Sequence, residues 1–117
     1  MAILNLSRIR LNAELIDAGV IDLKPYHRRK LLSSVSFPEP PQGPQELVVR
    51  ANEVSELASE YEVKDVLIGG IPFFMPILSA VLQGDGYGVW FQFSDKIRSP
   101  AGSDYIFRTL VECPSLV

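Results

Sequence analysis

The sequence predicts an α/β fold: a small Rossmann-like mixed sheet, parallel in its core with an antiparallel C-terminal strand, and helices on both faces. Three observations predict it. Val66-Leu67-Ile68 is a short apolar run without alternation, the pattern of a central strand covered on both faces. Gly69-Gly70 ends that run and leads through Pro72 into an apolar helical stretch, so the strand turns tightly into a helix. After Gly84-Asp85-Gly86, residues 87–93 read as the next strand, which completes a β-α-β unit whose crossover is nearly always right-handed.

From the N-terminus, residues 3–6 form the first strand, and Ser7-Arg8-Ile9-Arg10 follows at what a parallel sheet makes its carboxyl edge. Asn12 caps a short helix over residues 13–18, stopped by Gly19. Val20-Ile21-Asp22-Leu23 reads as an extended connection, and Asp22 is a candidate cap for a helix over 24–34 with Pro25 in its first turn. Arg28-Arg29-Lys30 on that helix suits a phosphate site or, more simply, a solvated face. Residues 37–44 hold four of the nine prolines and serve as a stiff connector.

The clearest helix covers residues 44–61, where Leu47, Ala51, Val54, Ala58 and Tyr61 recur at spacings of four and three. Its other faces are acidic, as a solvated surface requires. Pro76 is the misfit of the next helix: either it kinks that helix, or the helix starts near Phe74. Residues 89–93 form a strand, 94–98 leave its carboxyl end, 99–104 make a turn and 105–112 alternate as the last strand. So short a connection allows only an antiparallel return.

The 117 residues make one domain, residues 1–117. The net charge is −3, unevenly spread: residues 1–34 carry six basic and three acidic residues, and residues 35–65 carry two basic and seven acidic. That balance excludes a grip on long nucleic acid and leaves room for a small anion in a local basic pocket. One cysteine, Cys113, excludes an internal disulfide and reads as a small core residue. No leader is visible, and the longest apolar stretch, 71–82, is too short to span a bilayer, so the expected location is cytoplasmic, with no membrane partner.

Ligands of such a sheet bind outside the carboxyl ends of the strands, where strand order reverses. Loops 5–10, 69–74 and 92–98 converge there. They present Asn5, Ser7, Arg8, Arg10, the Gly69 and Gly70 amides, Ser94, Lys96 and Arg98, a set suited to an anion. Phe73, Phe74 and Phe93 stand where a base could stack, although core packing also explains them. The double glycine lacks the spacing of a dinucleotide fingerprint or a phosphate loop. His27, the one histidine, has no evident carboxylate partner in the sequence and reads as an ordinary half-buried side chain.

Taken together, Ile3-Leu4-Asn5-Leu6-Ser7, Val66-Leu67-Ile68-Gly69-Gly70, Ser94-Asp95-Lys96-Ile97-Arg98 and a closing strand with Arg108 resemble the small single-domain CRISPR-associated Rossmann-like proteins. These are relatives of cyclic oligoadenylate sensors, and some act as ring nucleases in antiviral defence. The resemblance implies a homodimer whose crevices join around a cyclic oligoadenylate, with no metal or other cofactor. It implies binding of the ring and, for members that act as nucleases, metal-independent in-line attack of a ribose 2′-hydroxyl: Ser7 positions the hydroxyl, and Arg8, Lys96, Arg98 and the Gly70 amide stabilise the phosphorane, with Arg108 among the ligand-binding residues. Without a strong general base, slow turnover and mere sequestration stand equally. Similar sequences carry histidines near the first loop and beside the last-strand arginine. Here those places read Arg8-Ile9-Arg10 and Phe107-Arg108-Thr109. Two alternatives stay open: a non-catalytic dimerisation or protein-interaction module presenting Phe73, Phe74, Met75 and Trp90, and an enzyme acting on another small phosphorylated substrate.

Overall fold

Strand β1 (Ile3–Asn5) lies inside the sheet, next to its central strand, with all three residues buried. The computed structural model describes residues 2–100 and 102–114, and the side chains of residues 96–99 and 103–107 lie outside the described part. From β1 the chain passes through α1 (Ala13–Asp17) to β2 (Val20–Ile21), then through α2 (Pro25–Val35) and α3 (Pro44–Ala58) to β3 (Asp65–Leu67). Helix α4 (Met75–Gly84) leads to β4 (Gly88–Ser99), which returns as β5 (Gly102–Cys113). The sheet order is β2-β1-β3-β4-β5, parallel except for the last pair.

This order explains the layers. The chain steps outward from β1 to β2, then crosses back past β1 to β3 and on to β4. Right-handed crossovers therefore put α1 on one face and α2, α3 and α4 on the other. Two apolar clusters match this. Leu31 and Val35 of α2, Ala51, Val54 and Ala58 of α3, and Leu78 and Leu82 of α4 pack on Leu4, Leu6, Val66, Ile68 and Val89. On the opposite face Leu15 of α1 packs on Ile3, Val20 and Leu67, with Leu11, Trp90 and Leu110 partly buried beside them. Helices thus occupy both faces, as expected, but very unequally.

Local signals account for most element ends. Asn12 Oδ1 accepts from the Leu15 amide at 2.9 Å, and Gly19 follows α1 with φ of 96°. The stripe expected on α3 holds, with Ala51, Val54 and Ala58 buried. Helix α4 begins at Met75, so Pro76 occupies its first turn and causes no kink. Residues 20–21 pair with β1 as a strand, where an unpaired connection was expected. Asp22 does not cap α2; its carboxylate accepts from the adjacent Leu23 amide and pairs with Arg28.

The largest departure concerns residues 94–104. Residues 94–99 and 102–104, expected as loop and turn, are strand, while Pro100 stays a turn: β4 and β5 pair from Val89–Cys113 to Ser99–Gly102, with an irregularity at Phe93/Ser94. Composition there suggested a loop, yet each strand supplies the other with a ladder that neither has alone. Strand β3 covers β4 only over Gly88, Val89 and Trp90. Residues 91–99 therefore continue as a two-stranded ribbon reaching about 30 Å past the sheet. The ribbon leaves from the carboxyl edge, where β1 and β3 also end.

At the opposite edge, burial and then the Asp85 carboxylate push the Tyr87 phenol above the ordinary tyrosine value. A Cβ at Gly88 would stand 2.3 Å from Asp65 Oδ1, the atom that accepts from Trp90 Nε1 at 3.0 Å. Gly88→Ala must displace that carboxylate. It should lower unfolding free energy by about 1–3 kcal/mol in urea titration, and the penalty should shrink in an Asp65→Ala background.

Candidate functional site at the β1/β3 crevice

Past Asn5 the chain leaves the ladder, and its polar groups need other partners. Asn5 Oδ1 accepts from the Ser7 amide at 3.1 Å and from the Ser7 hydroxyl at 2.5 Å. Asn5 Nδ2 donates to the Ile9 carbonyl at 2.9 Å, and the Ile9 amide donates to Ser7 Oγ at 3.3 Å. Both side chains are fully buried. The Ser7 hydroxyl is therefore engaged as donor and acceptor within the loop. It builds the loop, with no exposed face for a ligand.

Helix α2 ties this loop down. Arg28 donates to the Ser7 carbonyl at 2.6 Å and to the Asn5 carbonyl at 3.1 Å, and its guanidinium pairs with Asp22. Arg8 and Arg10, on the far arm of the loop, are exposed and form no ion pair among the described residues.

Strand β3 ends against the same loop. The Leu6 amide donates to the Leu67 carbonyl at 2.8 Å, and the Ile68 amide to the Trp90 carbonyl at 2.9 Å. The next amides, those of Gly69, Gly70 and Ile71, have no partner among the described residues. A Cβ on Gly69 would lie 3.7 Å from Ser7 Cβ, so the two loops touch. Gly70 has φ of 151°, a conformation that favours glycine. Consecutive amides without a partner among the described residues, four residues ahead of a ten-residue helix, are a donor set suited to an anion. Since β2 lies on one side of β1 and β3 on the other, this is where strand order reverses.

The other expected residues divide clearly. Phe74 is fully buried in the core, whereas Phe73 is about half exposed (47%) and meets Phe37 edge-on at 5.1 Å. Phe93 is similarly exposed on the ribbon. Ser94 Oγ accepts from Gln92 Nε2 at 2.8 Å, and Arg108 pairs with Asp95 at 3.4 Å in an exposed position. The side chains of Lys96 and Arg98 lie outside the described residues; their backbone belongs to the ribbon, not to a loop. The Ser7 and Gly69 loops thus meet at the carboxyl edge, and the ribbon leaves the sheet from that same edge.

His27 has the partners that the sequence concealed. The Lys24 amide donates to Tyr61 Oη at 2.9 Å, and the same oxygen lies 2.6 Å from His27 Nδ1 in a hydrogen bond. His27 Nε2–H donates to the Glu60 carboxylate at 2.9 Å, since a carboxylate can only accept. This chain fastens the start of α2 to the segment after α3 and takes no part in the crevice. Arg28 and Asp22 were missed for a related reason: nothing local separates Arg28 from Arg29 and Lys30, and only the phase of α2 over β1 selects it.

Among the described residues, no three His, Cys, Asp or Glu side chains are grouped to hold a metal ion, and no helix is long and apolar enough to cross a membrane. No protein-family model, curated protein or solved structure matches the chain. Asn5→Ala removes three hydrogen bonds of the buried loop and strands the Ser7 hydroxyl proton. It should cost about 1–3 kcal/mol in denaturant titration and speed amide exchange at Ser7 and Ile9.

Proposed function

We propose that the crevice binds a cyclic oligoadenylate, with one phosphate seated on the Gly69, Gly70 and Ile71 amides. The observation that carries this is the run of unpartnered amides beside the rigid Ser7 loop where strand order reverses. The exposed guanidinium groups of Arg8 and Arg10 add positive potential to a protein that is otherwise acidic. The half-exposed ring of Phe73 offers a stacking face for a base. The ring form of the ligand and a symmetric dimeric pocket rest on the family resemblance.

The chemistry such a site favours is intramolecular. A ribose 2′-hydroxyl attacks the adjacent phosphorus in line, the bond from phosphorus to O5′ breaks, and a 2′,3′-cyclic phosphate and a 5′-hydroxyl result. Fixing the ribose in that geometry and placing amides at the developing charge are contributions this chain can make. With Ser7 occupied and His27 held by Tyr61 and Glu60, no base lies at hand, so turnover is slow.

Thermal unfolding with cyclic tetraadenylate tests this. For a Kd near 10 µM, ligand at about 1 mM adds roughly 2.7 kcal/mol of stability, a rise of about 10 °C for a domain of this size. Linear tetraadenylate should give a smaller rise. Gly70→Ala should remove most of the ring's effect while the unliganded protein remains folded. No shift with any cyclic oligoadenylate would exclude the proposal and favour the interaction-module reading.

A further inference from the structure

A separate feature lies on the other side of β1. The Ser7 loop, Asp22 and α2 enclose an open depression of about 470 Å³, lined by Arg8, Arg10 and Arg28, with Ile9 and Leu32 as apolar walls. We propose that this depression is a second anion subsite, for a phosphoryl or diphosphate group, in which Arg8 and Arg10 hold the anion and Arg28 is the positioning residue.

Charge is the first argument. The lining has three guanidinium groups and one carboxylate, Asp22, and that carboxylate is committed to Arg28. The other donors of Arg28 go to the Asn5 and Ser7 carbonyls. Two cations, Arg8 and Arg10, therefore share one rim with no counter-charge among the described residues. A doubly charged anion relieves that repulsion, and guanidinium forks match phosphate oxygens.

Rigidity is the second. Ile9, between the two arginines, has its amide held by Ser7 Oγ and its carbonyl held by Asn5 Nδ2. Arg28 fixes the two carbonyls on which that network stands. The two arms therefore rise from backbone already in place, and binding need not order the loop. Ile9 and Leu32 are partly exposed at the rim, so the anion can carry an organic group against them. The inference goes beyond the crevice reading: it shares Arg8 and Arg10 with that site, but the anion's seat is different, because the amides of Gly69 and Gly70 lie on the β3 side of β1 and do not line this depression.

Inorganic pyrophosphate is the probe, titrated calorimetrically into the wild-type protein and its variants. Binding should be measurable below about 1 mM, and Arg8→Ala/Arg10→Ala should weaken it at least tenfold, the loss of more than one charge-assisted contact. Gly70→Ala should leave that arginine-dependent binding within twofold. Arg28→Ala should weaken it about fivefold alone but less than twofold in the Arg8→Ala/Arg10→Ala background, since a positioning residue acts through those arms. Arg28→Lys should not rescue, because one ammonium nitrogen cannot stand where both guanidinium nitrogens do, one on the Ser7 carbonyl and the other on the Asn5 carbonyl and Asp22. Amide exchange at Ser7 and Ile9 should quicken in Arg28→Ala while Leu4 and Val66 stay protected. Absence of pyrophosphate binding, binding indifferent to Arg8 and Arg10, or additive Arg28 and arm effects would overturn the proposal. Loss of ring binding with pyrophosphate binding intact would count against the crevice reading alone.

Discussion

The exit of the chain from β1 is the point on which the carboxyl edge depends. Strands β1 and β3 are only three residues long, so most of the polar backbone near the crevice has no ladder to satisfy it. Asn5 and Ser7 supply local partners, and Arg28 reaches across from α2 to take the two carbonyls that remain. A guanidinium suits this task because its planar fork can meet two carbonyls and a carboxylate together. Helix α2 is in turn held by Tyr61, His27 and Glu60, so the loop is braced by elements distant in sequence.

This bracing separates two kinds of residue that the sequence mixes. Asn5, Ser7 and Arg28 are turned inward and spend their hydrogen bonds on the loop. Arg8 and Arg10 are exposed, and the Gly69, Gly70 and Ile71 amides have no partner among the described residues on the β3 side of the loop. A crevice of free donors on a rigid base is preorganised for an anion, which lowers the ordering cost that a flexible loop would impose. The ribbon beyond Trp90 leaves from the same edge, and its length follows from the mismatch between three-residue β3 and twelve-residue β4.

How much of this was legible in the sequence follows from the range of the interactions. The parallel core, the glycine turn, the α3 stripe and the Asn12 cap all rest on local patterns, and they appear where those patterns place them. Pro76 resolved itself by the start of α4, a choice of one turn that local rules left open. Residues 94–99 were misjudged because a ladder with a partner outweighs weak strand propensity. At the site, Gly69 and Gly70 were visible as a turn before a helix. The inward role of Ser7 and the choice of Arg28 over its neighbours were not, since both depend on how α2 lies over β1. His27 concealed its carboxylate for the same reason: Glu60 lies in a different segment of the chain.

The central claim is that an anionic ring seats on the free amides at the β1/β3 reversal. The most direct measurement is the amide spectrum of nitrogen-15-labelled protein during titration with cyclic tetraadenylate. Binding at the crevice predicts that the largest shifts fall on Gly69, Gly70 and Ile71, with smaller ones on Arg8 and Arg10 and none along α3. Shifts confined to α3 or to the outer strand β5, or a spectrum unchanged at saturating ligand, would contradict it.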